Sequence, residues 1–149
     1  MLKLSHSKLI LISGMLWLCV GLSLLPLGLT LIIEGETRPL VHYSSSIFGG
    51  FDEAAIALIV AALFVGYMKG KYVLGKSSNR IVGRIRAASD PASLATVFTP
   101  AYCVLIGSMM LLGMGIKYFG IPSDVRGMVD VAVGSAMISG ATITFRHLW

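Results

Sequence analysis

Uncharged apolar segments alternate with charged segments along the chain. Two of the apolar segments are long, since no charged residue occurs over 9–33 or over 91–116. At a rise of about 1.5 Å per residue, a helix of either length crosses a hydrocarbon core of about 30 Å. The pattern therefore predicts two membrane-spanning helices.

Two further uncharged segments, 54–68 and 131–145, are shorter. Their length lies between that of a membrane span and that of a buried core helix. Lys69 and Arg146 follow the two segments and can extend their long side chains towards lipid head groups. We interpret both as short spans, because the alternative, a soluble helical bundle, leaves the long segment 9–33 unexplained.

Composition supports a membrane protein. The 149 residues are 56% hydrophobic and only 13% charged, with a mean hydropathy of +0.85, whereas soluble domains carry roughly 25% charged residues. We therefore expect an all-α integral membrane protein with one four-helix transmembrane domain. Its predicted spans are about 9–33, 52–69, 99–119 and 128–146, with a basic loop over 70–98. No cleavage site follows the first segment, which favours a retained anchor over a cleaved signal peptide.

The distribution of charge predicts the orientation. Two basic residues precede the first span, six lie at the end of the second span and in the following loop, and one follows the fourth span. The opposite side has only Arg38, Lys117 and Arg126, and it holds every acid except Asp90. Positive residues mark the cytoplasmic side, so both termini are predicted to be cytoplasmic. The net charge of +5 then reflects topology, and we expect no nucleic-acid partner.

Small residues at helical spacing predict how the spans pack. Gly14, Gly21 and Gly28 recur on one face of the first span. In the second and fourth spans small residues stand about four apart, which is typical of helix contacts in lipid. The predicted packing residues are Ala57, Ala61, Gly66, Ala132, Ala136 and Gly140. We expect the second and fourth spans to form the packed centre and the first and third spans to face lipid more.

The second span can be aligned with the fourth without a gap. One register matches Glu53 with Asp130 and Lys69 with Arg146, and small residues coincide between them. This pattern is consistent with two duplicated helical hairpins. The alternative is that each short span begins with an acid and ends with a base, as helix dipoles and membrane orientation both favour.

The two loops around the second span differ in character. The outer segment 34–51 contains proline, three serines and a glycine pair, and it is predicted to be irregular. The basic loop shows helical periodicity: Leu74, Ile81 and Ile85 can share one face of an amphipathic helix that continues from the second span. Its candidate contacts with anionic lipid head groups or with a partner are Lys76, Arg80, Arg84 and Arg86. The alternative is that these bases act only as topology signals.

Acids gather on the predicted outer side. The candidate outer vestibule consists of Glu53, Asp130, Asp52 and Asp124. If the second and fourth spans pack together, Glu53 and Asp130 could face one another, and such carboxylates would attract cations in an oligomer. The alternative is that the acids cap helix dipoles. Hydroxyls in the fourth span could line a polar path, or bond back to their own helix.

The sequence contains no catalytic, cofactor-binding or metal-binding motif that we recognise, so we expect a protein that is not an enzyme. The leading functional hypothesis is a homo-oligomeric channel or transporter for a small ion or solute. The alternative is a non-catalytic membrane subunit or scaffold of a larger complex, which binds anionic lipid or a partner through the basic loop. The expected partners are membrane lipids, together with a second copy of the chain or another membrane protein.

Overall fold

The computed structural model of the protein describes residues 3–87, 92–93, 100, 104, 107, 111 and 114–147. Its long elements are the helices α1 (His6–Glu34), α2 (Pro39–Phe48), α3 (Phe51–Lys69), α4 (Gly75–Ala87) and α5 (Ser123–Phe145). A π-helical turn, Gly70–Leu74, joins α3 to α4 without a break. Two short strands, β1 (Lys3–Leu4) and β2 (Ala92–Ser93), pair antiparallel.

The described part of the chain is almost entirely helical, as expected. Three of its helices are long and apolar enough to cross a membrane: His6–Glu34, the continuous helix Phe51–Ala87 and Ser123–Phe145. The predicted third span, 99–119, falls largely outside the described residues, although residues 114–118 are helical.

Glycines hold α1 against α5. A Cβ atom on Gly28 would lie 2.7 Å from the carbonyl oxygen of Gly127, and one on Gly127 would lie 2.6 Å from that of Gly28. Further along the contact, Gly21 and Gly134 meet in the same reciprocal way, at 2.9 and 3.0 Å. Since the number rises on one helix as it falls on the other, α1 and α5 are antiparallel. Backbone lies against backbone here, which maximises dispersion contacts in an apolar solvent.

The α3 helix runs parallel to α5. Gly66 lies against Ala132 and Ser135, and Gly70 lies against Ala136. The bundle therefore has two ends. The acidic end is where α1 finishes and α3 and α5 begin. The basic end is where α1 begins and α4 and α5 finish.

The packed centre differs from the one that the sequence predicts. Among the described helices, the most extensive contact is between α1 and α5, and the contact between α3 and α5 is smaller. The difference follows from where the glycines fall, because the α1–α5 interface pairs glycine with glycine. The α3–α5 interface places glycine against alanine and serine instead.

The outer segment 34–51 is not irregular, so this prediction was wrong. It forms α2, with Pro39 at the first helical position, where its missing N–H costs nothing. Gly49 ends the helix in the left-handed conformation at φ 88°, and its N–H bonds to the Ser45 carbonyl at 2.9 Å. Three serines weaken the helical signal in the sequence, and a distant residue, described below, stabilises the first turn.

The amphipathic helix predicted within the basic loop is present as α4. Leu74, Ile81 and Ile85 are buried, together with Val82, against Leu9 and other residues of α1 and α5. The apolar face of α4 is therefore already occupied within the chain. The basic side chains of α4 are exposed.

Candidate functional site

Asp124, a predicted vestibule acid, is fully buried at the acidic end. Its Oδ2 atom accepts hydrogen bonds from the backbone N–H groups of Leu40 and Val41, at 2.6 and 3.2 Å. Its Oδ1 atom accepts from the N–H of Val125 at 2.8 Å. Asp124 thus caps the start of α2 from another helix, which satisfies donors that a helix N-terminus leaves unpaired.

The neighbouring pair Thr37 and Ser123 joins the end of α1 to the start of α5. The Ser123 hydroxyl donates to the Thr37 carbonyl at 2.6 Å, and the Ser123 N–H bonds to the same oxygen at 3.0 Å. The Thr37 N–H donates to the Ser123 hydroxyl oxygen at 3.1 Å. These bonds, together with the Asp124 cap, hold α2 over the acidic end of the bundle.

Asp130 lies further along α5 and is mostly buried. Its carboxylate faces Arg126, with 3.8 Å between Oδ2 and Nε. Oδ2 has no hydrogen-bond partner among the described residues, so the two charges attract one another without a direct bond.

Asp52 and Glu53 are exposed in the first turn of α3, where negative charge is favourable to the helix dipole. Glu53 does not share a level with Asp130. Since Gly66 lies beside Ala132 and Ser135, Glu53 stands roughly ten residues, or about 15 Å, closer to the acidic end than Asp130 does. The vestibule acids therefore lie at different levels along the bundle, and some are buried while others are exposed. Their attraction of cations stays a prediction.

A cavity of about 340 Å³ opens at the acidic end beside these acids. The charged residues that line it are of both signs. They are Glu34, Glu36, Lys117 and Arg126.

Four hydroxyl groups of α5 donate hydrogen bonds to backbone carbonyls of the same helix. Ser135, Ser139 and Thr142 donate to the carbonyls of residues 132, 135 and 138, at 3.1, 2.9 and 2.7 Å. Thr144 donates to the Gly140 carbonyl at 2.9 Å. A hydroxyl that donates its proton in this way no longer offers it to an anion, whereas the lone pairs of its oxygen can still accept.

The six predicted packing residues differ in their contacts and in their exposure. Gly66 and Ala132 lie in the α3–α5 contact, and Ala136 lies against Gly70 of the π-helical turn. Gly140 packs against Leu74 at the end of that turn. Ala57 is half-buried and Ala61 is exposed. The buried alanines of α3 are instead Ala54, Ala55 and Ala62.

The basic side chains of the α3–α4 helix are exposed. They are Lys69, Lys71, Lys76, Arg80, Arg84 and Arg86. Lys76, Arg80 and Arg84 repeat every four residues and form a stripe opposite the buried face of α4. Within the described part of the chain, Lys69, Lys71, Lys76 and Arg80 have no ion pair. None of these four cations is paired with an acid of the described residues.

Polar contacts fix α4 to the end of α5. The hydroxyls of Ser78 and Thr144 hydrogen-bond in the buried interface. Arg86 donates to the His147 carbonyl at 2.9 Å, and the His147 ring bonds to Asn79 at 2.8 Å. These bonds, together with the apolar contacts, hold the basic stripe in a defined orientation.

We expect Ser78→Ala to lower the free energy of unfolding by about 1 kcal/mol, the usual net value of one hydrogen bond. The loss is small because Thr144 keeps its bond to the Gly140 carbonyl. Chemical unfolding in mild detergent measures it, with the half-buried neighbour Ser77→Ala as the control. An unchanged free energy of unfolding would show that the Ser78 hydroxyl does not stabilise the α4–α5 contact.

Two features of the structure, the glycine contact between α1 and α5 and the cap by Asp124, were not predicted from the sequence. The glycines of α5 at positions 127 and 134 have the same spacing as those of α1, and this spacing was a usable signal for the α1–α5 contact. The capping role of Asp124 had no such signal, because its partners Leu40 and Val41 are distant in sequence. In the described residues, no group of three His, Cys, Asp or Glu side chains could hold a metal ion.

Comparisons with protein families, with curated proteins and with solved structures found no match to this chain. The function is therefore inferred from the geometry of the described residues.

Proposed function

We propose that the protein is a non-catalytic membrane subunit or scaffold that presents a fixed cationic helix at the cytoplasmic face of the membrane. It has four spans, with both termini in the cytoplasm. The orientation is supported by the bundle's two ends, because α1 begins and α4 and α5 finish at the end that holds most of the bases.

One observation carries the proposal: the apolar face of α4 is buried within the chain, while its basic stripe is exposed and Lys76 and Arg80 have no ion pair among the described residues. If α4 served only to set the membrane topology, its basic residues would be sufficient. Its apolar face would not need to pack against α1 and α5. Burial of Ile81, Val82 and Ile85 orders the helix, so less conformational entropy is lost when an anionic surface binds.

The test uses the full-length protein purified from its native membrane in mild detergent. We expect it to co-purify with a second membrane or membrane-associated protein in fixed stoichiometry. We expect the Lys76→Gln/Arg80→Gln variant to lose that protein while keeping its own melting temperature. The matched control is Lys8→Gln/Lys117→Gln, which removes two exposed lysines elsewhere.

A second candidate function is a homo-oligomeric channel or transporter for a small ion or solute. It is favoured by Asp52 and Glu53, which are exposed together on α3 and would form a ring of carboxylates in an oligomer. A defined homo-oligomer with ion flux in liposomes, and loss of that flux in Glu53→Gln and Asp130→Asn, would support this function. A monomer without flux would contradict it.

A further inference from the structure

Arg126 is a half-buried cation whose hydrogen-bond donors are not used within the described part of the chain. Its side chain is 27% exposed and faces Asp130, with 3.8 Å between Nε and Oδ2. That distance is too long for a hydrogen bond, and the guanidinium donates none to another described residue. Since half-buried donors are normally paired, the N–H groups of Arg126 are left to water or to a ligand.

Arg126 lines the cavity of about 340 Å³ at the acidic end. This volume lies at the lower end of the range for small-molecule sites, about 300–1,000 Å³. Glu34, the last residue of α1, and Glu36 also line the cavity. Neither acid forms an ion pair with Arg126 or with Lys117, the second base of the lining. The opposite charges that surround the cavity are therefore too far apart to neutralise one another directly.

The cavity lies where the apolar part of α1 ends. Glu34 is the first charged residue after the uncharged segment 9–33, and Leu31 and Ile121 add apolar surface to the lining. The negative end of the α1 dipole is located here, where a positive group is favourable. In a membrane, the boundary between an apolar and a charged segment is expected at the level of the lipid head groups.

We propose that this cavity binds a zwitterionic group that combines a phosphate with a primary ammonium, as in the head group of phosphatidylethanolamine. The guanidinium of Arg126 donates two parallel hydrogen bonds to the phosphate. Glu34 and Glu36 accept hydrogen bonds from the ammonium, which has three N–H donors. Asp130 positions the Arg126 side chain by charge attraction without using its donors. The site lies at the opposite end of the bundle from the basic stripe and does not depend on the proposed function.

The lining favours a primary ammonium over the quaternary ammonium of choline. A quaternary ammonium has no N–H to donate to a carboxylate, and proteins recognise it through cages of aromatic rings. None of the residues that line the cavity is aromatic. We therefore expect discrimination between two phospholipids that differ only in the methylation of their ammonium group.

The first test compares three phospholipids with the same acyl chains. The full-length protein is reconstituted in nanodiscs with equal parts of phosphatidylethanolamine, phosphatidylcholine and phosphatidylglycerol, and the retained lipid is identified by native mass spectrometry. We expect selective retention of phosphatidylethanolamine, because phosphatidylcholine lacks the N–H donors and phosphatidylglycerol lacks the ammonium. Equal retention of the three lipids, or preference for either of the other two, would overturn the proposal.

Substitution of the acids tests the ammonium end of the site. We expect Glu34→Gln/Glu36→Gln to retain phosphatidylethanolamine about fivefold more weakly, which is the effect of an exposed ion pair. The matched control is Asp52→Asn/Glu53→Gln, which removes two exposed acids that do not line the cavity, and it should retain the lipid. Weaker retention in both variants, or in neither, would contradict the assignment of the ammonium to this cavity.

The Arg126→Lys variant tests the phosphate end. It keeps a positive charge opposite Asp130 but loses the planar fork that binds a phosphate through two hydrogen bonds. We expect about tenfold weaker retention of phosphatidylethanolamine, which corresponds to the loss of one hydrogen bond to a charged group, and an unchanged melting temperature. Full retention would show that Arg126 does not bind the phosphate.

Glycerophosphoethanolamine, the water-soluble form of the head group, distinguishes the two sources of this ligand. Its binding is measured by isothermal titration calorimetry with the protein in nanodiscs of phosphatidylcholine alone. Saturable binding that is weakened in Glu34→Gln/Glu36→Gln would support a site for the free head group. Selective retention of phosphatidylethanolamine without binding of the soluble compound would support a lipid site. The absence of both would overturn the proposal.

Discussion

The Gly28→Leu variant is expected to lose about 3 kcal/mol or more of unfolding free energy and to fail to form the α1–α5 pair. A Cβ atom at this position would lie 2.7 Å from the Gly127 carbonyl oxygen and 2.8 Å from the backbone nitrogen of Val131. Both are backbone atoms of a helix and cannot move alone, so the two helices must separate along the contact. Overpacking of this kind usually costs about 1–3 kcal/mol, and more when backbone must shift.

Unfolding in mixed detergent, followed by circular dichroism and by size-exclusion chromatography, measures this loss. The matched control is Gly83→Leu in α4, because Gly83 is exposed and a Cβ there would meet nothing within 4 Å. We expect the control to equal the wild type or exceed it slightly, since glycine is a poor helix former. If both leucine variants behave alike, the α1–α5 contact does not stabilise the fold.

Gly28 and Gly127 contact one another reciprocally, so we expect the effects of substitutions at the two positions to be coupled. Gly28→Ala and Gly127→Ala each push the same two backbones apart, so the second substitution should cost less than the first. We expect a coupling energy of about 1 kcal/mol in a double-mutant cycle. Additive losses would show that the two glycines do not share one contact.

Asp124→Ala is expected to lower the free energy of unfolding by about 2–3 kcal/mol and to release α2 from the bundle. The substitution removes a charged acceptor from the N–H groups of Leu40 and Val41. Hydrogen bonds to charged groups contribute about 1.5–3 kcal/mol each, and the total is limited because α2 can detach and regain water as partner. Asp124→Asn should lose less, because its amide oxygen can still accept.

Hydrogen exchange of the Leu40 and Val41 amides reads this effect directly. We expect both amides to exchange faster in Asp124→Ala, while α5 amides beyond the first turn keep their protection. Asp52→Ala is the control, since Asp52 is an exposed acid at a helix start and has no such remote partner in the described residues. The remote cap would be contradicted if these amides exchanged faster in Asp52→Ala as well, or if they exchanged no faster in Asp124→Ala than in the wild type.

Part of the candidate site could be predicted from the sequence. The basic face and the apolar face of α4 follow from the spacing of Lys76, Arg80, Ile81 and Ile85, because helical periodicity assigns each residue to a face without any knowledge of its partner. That α4 packs against α1 and α5 could not be read in this way. The apolar face indicates that something covers it, and the covering helices are distant in sequence.

Two acids of the candidate vestibule show more clearly what the sequence could not predict. Asp124 and Glu53 look alike in the sequence, since each lies in the first turn of a helix and each suits the helix dipole. One is fully buried and caps a distant helix, and the other is exposed. The first turn of α2 determines the difference, because its unpaired N–H groups lie against Asp124 and not against Glu53.

The sequence by itself determined that the protein is helical and that its long helices are apolar enough for a membrane, since length, hydropathy and charge act on each segment independently. Only the tertiary structure decided that α1 pairs with α5 through glycine, and that Lys69 and Lys71 lie level with the middle of these helices. The physical reason is that the relative height of two helices depends on which backbone contacts are closest. That register is a property of pairs of segments, and no single segment contains it.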